Sequence, residues 1–285
     1  FYNAHPPTPD SVASRGLGDV YKRQAFDYHN IDAAYETWPV SSEQLCKEVD
    51  KLRGPDYLGA NVTIPHKEAV LELLDDVTQT ASSIGAVNTI VKRGSSLVGH
   101  NTDAYGFIKS LNEQADFDPQ DKSVLLLGAG GAARAAAFSL AETGVVSLTI
   151  SNRTVARAQA LANAIDLPSA NVTAISNDPS SVSKIASSVD LIVNATSVGM
   201  MHGGNEATSP LQLGNLTPNT IIYDMVYTPS KTPLLQAAGD TGATCVGGLW
   251  MLIYQGAAAF ELWTERPAPV GLMYETAHKA LADFR

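Results

Sequence analysis

Cysteine is scarce in this chain: 285 residues carry two, Cys46 and Cys245. That number excludes a disulfide framework and a cysteine-based zinc site. It fits two free thiols in a reducing cytoplasm, and no metal is expected. Charge is thin as well, 17% of residues, and positive charge thinner: Lys+Arg 19 against Asp+Glu 29, net −10. Such a balance argues against nucleic acid or an anionic membrane as partner, so an anionic substrate would need a local basic group to hold it. Long apolar runs are missing, since none approaches the ~18 residues a membrane helix needs. The opening Phe1-Tyr2-Asn3-Ala4-His5-Pro6-Pro7 has no basic stretch followed by an apolar core, so no secretion signal is expected. Internal repeats and low-complexity tracts are absent too.

What is present is a folded globular composition, 45% hydrophobic, long enough for one large or two ordinary domains. Residues 1–24 read poorly: Pro6, Pro7, Pro9, Gly16 and Gly18 interrupt them, and no apolar period is sustained. From Ala25 short strands are expected at 34–40, 59–64, 85–91 and 96–99, with helical spacing at about 41–52 and 68–74. A second regime begins near Asp103. Strands are expected at 123–127, 147–151, 191–194, 221–224 and about 244–246, with a helix over 132–143 and helix-like segments between several of the others. The tail, 249–263 and about 272–284, reads as all-helical. Alternating strands and helices predict an α/β protein with a parallel, doubly wound sheet.

Gly128-Ala129-Gly130-Gly131-Ala132-Ala133 fits G-x-G-x-x-A between an apolar strand and a helix. The first glycine permits the tight turn, the second lets backbone approach a pyrophosphate, and Ala133 allows close helix–strand packing. The helix N-terminus supplies free N–H groups for the anion. An NAD enzyme would carry an acidic residue about 20 positions on, for the ribose hydroxyl. The next strand instead ends in Ser151-Asn152-Arg153-Thr154, with Arg157 one turn further. Those side chains suit a 2′-phosphate, so NADP is expected.

Two further clusters carry chemistry. In Asn61-Val62-Thr63-Ile64-Pro65-His66-Lys67, a continued two-residue alternation places Asn61, Thr63 and, less securely, Lys67 on one face and Val62 and Ile64 on the other. A lysine where a strand gives way to a helix is partly desolvated, which suits proton transfer. His66 reads as packing or surface. The second cluster, Gly99-His100-Asn101-Thr102-Asp103, falls where the two regimes join, a place for a carboxylate that lines a cleft. Asp103 reads equally as the N-cap of the next helix. Asn88-Thr89 is open between turn and ligand contact.

In their order these segments resemble shikimate dehydrogenase, from about Ala25 to the C-terminus. The resemblance is carried by Asn61 to Lys67, Gly85-Ala86-Val87-Asn88-Thr89, Asn101-Thr102-Asp103, the glycine turn and Asn152-Arg153-Thr154. It continues through Asn194-Ala195-Thr196-Ser197-Val198-Gly199-Met200, Tyr223-Asp224-Met225-Val226-Tyr227, Gly247-Gly248-Leu249-Trp250-Met251-Leu252 and Gln255. It implies reversible reduction of 3-dehydroshikimate to shikimate by NADPH, in aromatic amino-acid biosynthesis. It implies a catalytic pair, Lys67 and Asp103, and substrate contacts from Thr63, Asn88, Gln255 and nearby Tyr227. The implied cofactor set is Gly128, Ala129, Gly130, Gly131, Ala132, Asn152, Arg153, Thr154 and Arg157, with Thr196, Met225 and Gly248 along the nicotinamide half.

The implied architecture is an N-terminal α/β substrate domain (1–103), a doubly wound Rossmann NADP domain (104–248) and C-terminal helices (249–285) packing back on the first. A monomer or homodimer acting on a small molecule is expected. Two alternatives stay open: a quinate/shikimate dehydrogenase, and an NADP-binding protein without turnover. The second arises because the family begins with a β-strand, a Ser-x-Ser-Pro segment whose serines grip the substrate carboxylate, and a His-Asn pair. Ser11-Val12-Ala13-Ser14 has the wrong spacing, and His29-Asn30 is not that pair. Residues 1–24 are therefore expected to be non-native, a translated adapter or an assembly error, with shikimate affinity reduced and NADP binding kept.

Overall fold

The computed structural model describes residues 2–5, 17–165, 170–201, 204–213, 216 and 219–283. Contacts divide the chain into two compact units, one of Phe1–Gly106 with Leu252–Arg285, the other of Phe107–Met251.

The first unit begins with β1 (Tyr2–His5), α1 (Leu17–Tyr28), β2 (Ala34–Thr37), α2 (Leu45–Lys51) and β3 (Gly59–Asn61). A short 3₁₀ helix (Ala69–Leu73), β4 (Asp76–Val77), α3 (Gln79–Ile84), β5 (Thr89–Arg93), β6 (Ser96–His100) and α4 (Thr102–Ala115) follow. The strands form one mixed sheet in the order β2-β1-β3-β5-β6-β4. All its pairings are antiparallel except β4 with β6. Thr78 starts α3 by accepting the Ala81 N–H, and Gly85 ends it in the left-handed conformation. Ala60, Val62, Val70, Ile90 and Leu97 lie in the core beneath.

Several expectations for this unit need correction: the strand expected at 85–91 begins only at Thr89, after α3 and its Gly85 cap, and the one expected at 34–40 ends at Thr37. Strand and helix do exist before Ala25. β1 is too short to show a period, and it is held by pairing on both sides, with β2 and β3. In α1, Leu17, Tyr21 and Ala25 recur at helical spacing and are buried, with Phe26 beside them. The intervening Lys22, Arg23 and Gln24 hide that stripe from a reading of hydropathy. The strand expected at 59–64 stops at Asn61, where its pairing with β5 ends. The chain then turns, so alternation fails: Thr63 and Ile64 are both exposed, while Val62 stays in the core. The helix expected over 68–74 is a short 3₁₀ segment.

The second unit is the expected doubly wound domain. It contains β7 (Ser123–Leu127), α5 (Gly131–Glu142), β8 (Ser147–Asn152), α6 (Val155–Ala164), β9 (Asn171–Ser176), α7 (Pro179–Ala186) and β10 (Leu191–Asn194). β11 (Ile221–Asp224), α8 (Pro233–Asp240) and β12 (Thr244–Gly247) complete it. The sheet runs β12-β11-β10-β7-β8-β9, every pairing parallel. Strand order reverses between β7 and β10, the place where such sheets open a crevice at their C-terminal ends. β7, β10 and β11 are buried almost throughout, as strands covered on both faces are.

Two helices end the fold, α9 (Leu249–Thr264) and α10 (Val270–Asp283). From Leu252 onward they belong to the first unit. The Trp263 indole of α9 donates to the Ile90 carbonyl of β5 at 2.9 Å, and Phe260 packs on Phe26 of α1 with ring centroids 5.4 Å apart. Among the described residues no helix is long and apolar enough to cross a membrane.

Candidate active site

The first unit brings Lys67, Asp103, Asn88 and Gln255 together. Lys67 Nζ donates to Asp103 Oδ2 at 2.5 Å, and Asn88 Nδ2 donates to Asp103 Oδ1 at 2.8 Å. Gln255 Oε1 stands 3.5 Å from the same Asn88 nitrogen. The Lys67 side chain keeps 16% of its surface exposed and Asp103 9%, so the pair is sheltered yet reachable.

Local structure explains the placement. The Lys67 carbonyl accepts the Val87 N–H at 2.8 Å, tying the turn after β3 to the segment before β5. Asn61 Nδ2 donates to the Asn88 carbonyl at 3.1 Å from below. Asp103 sits in the first turn of α4, where the helix dipole favours a carboxylate. It is not the helix cap. Asn101 fills that role, its Oδ1 accepting from the N–H groups of Asp103 and Ala104. The Asp103 carboxylate is thus left to face Lys67. Asn88 is 2% exposed and engages Asp103, Thr102 and Thr89 at once, which makes it an organising residue of the cluster. Thr63 is exposed, with no side-chain hydrogen bond among the described residues. His66 is buried with a ring nitrogen 2.8 Å from the Val40 carbonyl, which makes it a packing residue.

The second unit holds the residues expected to bind a dinucleotide. Gly128 follows β7 at φ +114°, and a Cβ there would lie 2.9 Å from the Ala195 carbonyl oxygen, so only glycine fits. Gly130 caps α5, and a Cβ on it would meet no atom within 4 Å. That open approach to the helix N-terminus, with Gly131 and Ala132 in its first turn and Ala129 before it, fits a pyrophosphate. Asn152 ends β8 with Nδ2 on the Thr154 carbonyl at 2.9 Å. Arg153 and Arg157 are exposed and have no ion-pair partner among the described residues. Thr196 follows β10, Met225 follows β11 with its N–H on the Asn194 carbonyl, and Tyr227 is 37% exposed. A Cβ at Gly248 would lie 2.1 Å from the Met225 carbonyl oxygen, which excludes any side chain.

Sequence reasoning assigned no role to Asn101, Asn194 or Asp224. Each closes a strand or opens a helix, and Asn194 and Asp224 do so at the C-terminal edge of the parallel sheet, a positional signal that could have found them. Cys46 and Cys245 are free and exposed. Among the described residues no group of three or more His, Cys, Asp or Glu could hold a metal.

The chain is similar to known proteins over most of its length. Residues 16–90 match the shikimate dehydrogenase substrate binding domain, 110–213 the shikimate / quinate 5-dehydrogenase family, and 248–278 the shikimate 5'-dehydrogenase C-terminal domain. The shikimate dehydrogenase (NADP(+)) of Geobacter metallireducens is 40% identical over 270 residues, 94% of this chain and 93% of its own. The structure of shikimate 5-dehydrogenase from Listeria monocytogenes with shikimate and NAD superposes with a TM-score of 0.85 at 33% identity, covering 91% of each chain. That of the Thermus thermophilus enzyme with NADP(H) and shikimate gives 0.82 at 35% identity, covering 93% of this chain and 95% of the other. The chain therefore belongs to the shikimate dehydrogenase family.

Proposed function

We propose that this chain is an NADP-dependent oxidoreductase that interconverts 3-dehydroshikimate and shikimate, with Lys67 exchanging the proton and Asp103 holding the amine in place. The observation that carries the reading is the sheltered Lys67–Asp103 pair, with Asn88 fixing the far side of the carboxylate. In reduction the Lys67 ammonium gives a proton to the oxygen of the reacting carbon; in oxidation the neutral amine takes it back, a role worth ~10²–10⁴-fold. Asp103 has both oxygens engaged, so it orients the amine and balances its charge rather than shuttling the proton itself. Gln255, Asn88 and Thr63 offer neutral hydrogen-bonding groups for hydroxyls, with Tyr227 as a further contact. The nicotinamide, when bound, supplies or accepts the hydride. Its phosphates suit the Gly128–Gly130 turn, and a 2′-phosphate suits Arg153, Arg157, Asn152 and Thr154.

A quinate/shikimate activity is the second reading, since the family matched over 110–213 carries both names. Arg153 stands where NAD-using members would want an acid, which favours NADP and shikimate. Following NADP+ and NAD+ reduction with shikimate and with quinate separates them. Lys67→Ala should lower kcat at least ~100-fold and leave NADP+ affinity intact. Undiminished turnover in that variant would overturn the assignment.

A further inference from the structure

Asp224 closes β11 and is fully buried. A carboxylate there is costly unless its oxygens are satisfied. Oδ1 accepts from Asn194 Nδ2 at 2.8 Å and from the Val226 N–H at 3.0 Å, and Oδ2 accepts from the Thr232 hydroxyl at 2.6 Å. Burial pushes its proton affinity up, while these hydrogen bonds oppose the shift. Three elements meet on this one group: the end of β10, the turn after β11, and the capping residue of α8, whose Oγ1 also accepts the Leu235 N–H.

The consequence lies one residue further out. Asn194 is 0% exposed, and its amide has two distinct ends. Asp224 Oδ1 accepts the Val226 N–H as well and so bears no proton of its own, which means that the amide nitrogen must face Asp224 and the amide oxygen the other way. That oxygen receives both the N–H and the hydroxyl of Thr196, at 3.1 and 2.7 Å. With its proton committed inward, Thr196 Oγ1 is free to accept the Val198 N–H at 3.2 Å. The Asn194 nitrogen also reaches the Val198 carbonyl at 3.4 Å, so Asp224 Oδ1, the shorter contact, and Val198 together set the direction of the hydrogen bonds in the turn after β10.

We propose that Asp224 is a positioning residue of the dinucleotide site, fixing the Asn194 amide and, through it, the Thr196 hydroxyl in one orientation. The functional half of this inference rests on the reading that Thr196 lies along the nicotinamide half of the cofactor. An amide at position 224 makes the link ambiguous. If its nitrogen faces Asn194, it also faces the Val226 N–H, and the Asn194 amide must turn over, setting its own NH₂ against the Thr196 N–H and its oxygen against the Val198 carbonyl. If its nitrogen faces Thr232, the cap of α8 loses its acceptor.

Asp224→Asn, measured on the full chain, should raise the NADP+ dissociation constant roughly tenfold and shift the shikimate KM less than about twofold. Amide hydrogen exchange of the free protein at Thr196 and Val198 should speed up in the same variant. Thr196→Val removes the terminus of the relay, so adding Asp224→Asn to it should change NADP+ affinity less than about twofold. A purely structural role would lower the melting temperature and multiply with Thr196→Val. Independent effects of the two substitutions, or unchanged exchange at Thr196 and Val198, would overturn the proposal. A wild-type protein that binds no NADP+ would sink the cofactor reading alone, and the exchange rates would still decide whether Asp224 sets this turn. Should Asp224→Asn not fold, Asn194→Ala cuts the same link and is read by the same two measurements.

Discussion

Lys22 places an amine among groups that give it little in return for its hydration. Its Nζ is fully buried, 2.8 Å from Asn61 Oδ1, 3.1 Å from the Tyr35 hydroxyl and 4.6 Å from the Tyr35 ring centre. Burial pushes its pKa from 10.5 down to about 7, with the Asp19 charge opposing only in part. A base whose folded value lies below its unfolded one destabilises the fold fully below about pH 7. The penalty fades as pH rises toward 10.5, because the unfolded chain there binds the extra proton. The cost at neutral pH is on the order of a few kcal/mol. Lys22→Met removes the charge and orphans no acceptor, since Asn61 Oδ1 keeps the Tyr35 hydroxyl and Asp19 keeps Arg23. The variant should melt several degrees higher near pH 6, with the gain shrinking in alkaline buffer. Equal melting temperatures at about pH 6 would show that the buried ammonium costs nothing.

At the level of elements, α6 shows a charge pattern that its own stability does not favour. Arg153 and Arg157 flank its N-terminus, where the helix dipole prefers anions, and its first turn has no acidic residue. A bound 2′-phosphate reverses that sign. Replacing both arginines with alanine should raise the NADP+ KM about tenfold or more and leave the NAD+ KM nearly unchanged. Steady-state rates with the two cofactors check this, and an equal rise for both would move the 2′-phosphate site elsewhere. This region was legible in the sequence because β7, β10 and β11 are buried on both faces, and continuous apolar runs have sharp ends. β9 was not, because it is an edge strand whose residues, Asn171 to Ser176, are all half-buried or exposed and form no apolar run. In the mixed sheet, β3 ends after three residues and the turn that carries Lys67 follows no period, so Thr63 and Ile64 could not be placed from hydropathy. The Lys67–Asp103 pair could be named from its motifs. That Asn101, rather than Asp103, caps α4 required coordinates.

For the whole molecule the open question is how a protein of net −10 would hold a substrate that is itself an anion. The groups gathered around Asp103, namely Asn88, Thr102 and Gln255, are neutral, and the Lys67 charge is matched by Asp103. The resemblance implies two serines that grip the carboxylate, and the sequence shows no Ser-x-Ser-Pro segment; residues 6–16 lie outside the described residues. Each missing charge-assisted hydrogen bond is worth about 1.5–3 kcal/mol, so two together would weaken shikimate by roughly 10²–10⁴-fold. The absolute KM alone is a blunt reading of that, since a loosened pocket raises it too. The ratio between shikimate and its methyl ester isolates the carboxylate, because hydroxyl contacts and hydride geometry are common to both. With no grip on the carboxylate the two should be turned over with KM values within a few-fold of each other, while the NADP+ KM is the same with either. A strong preference for the free acid would mean that this chain holds the carboxylate by other residues, and the expectation drawn from the missing serines would fall.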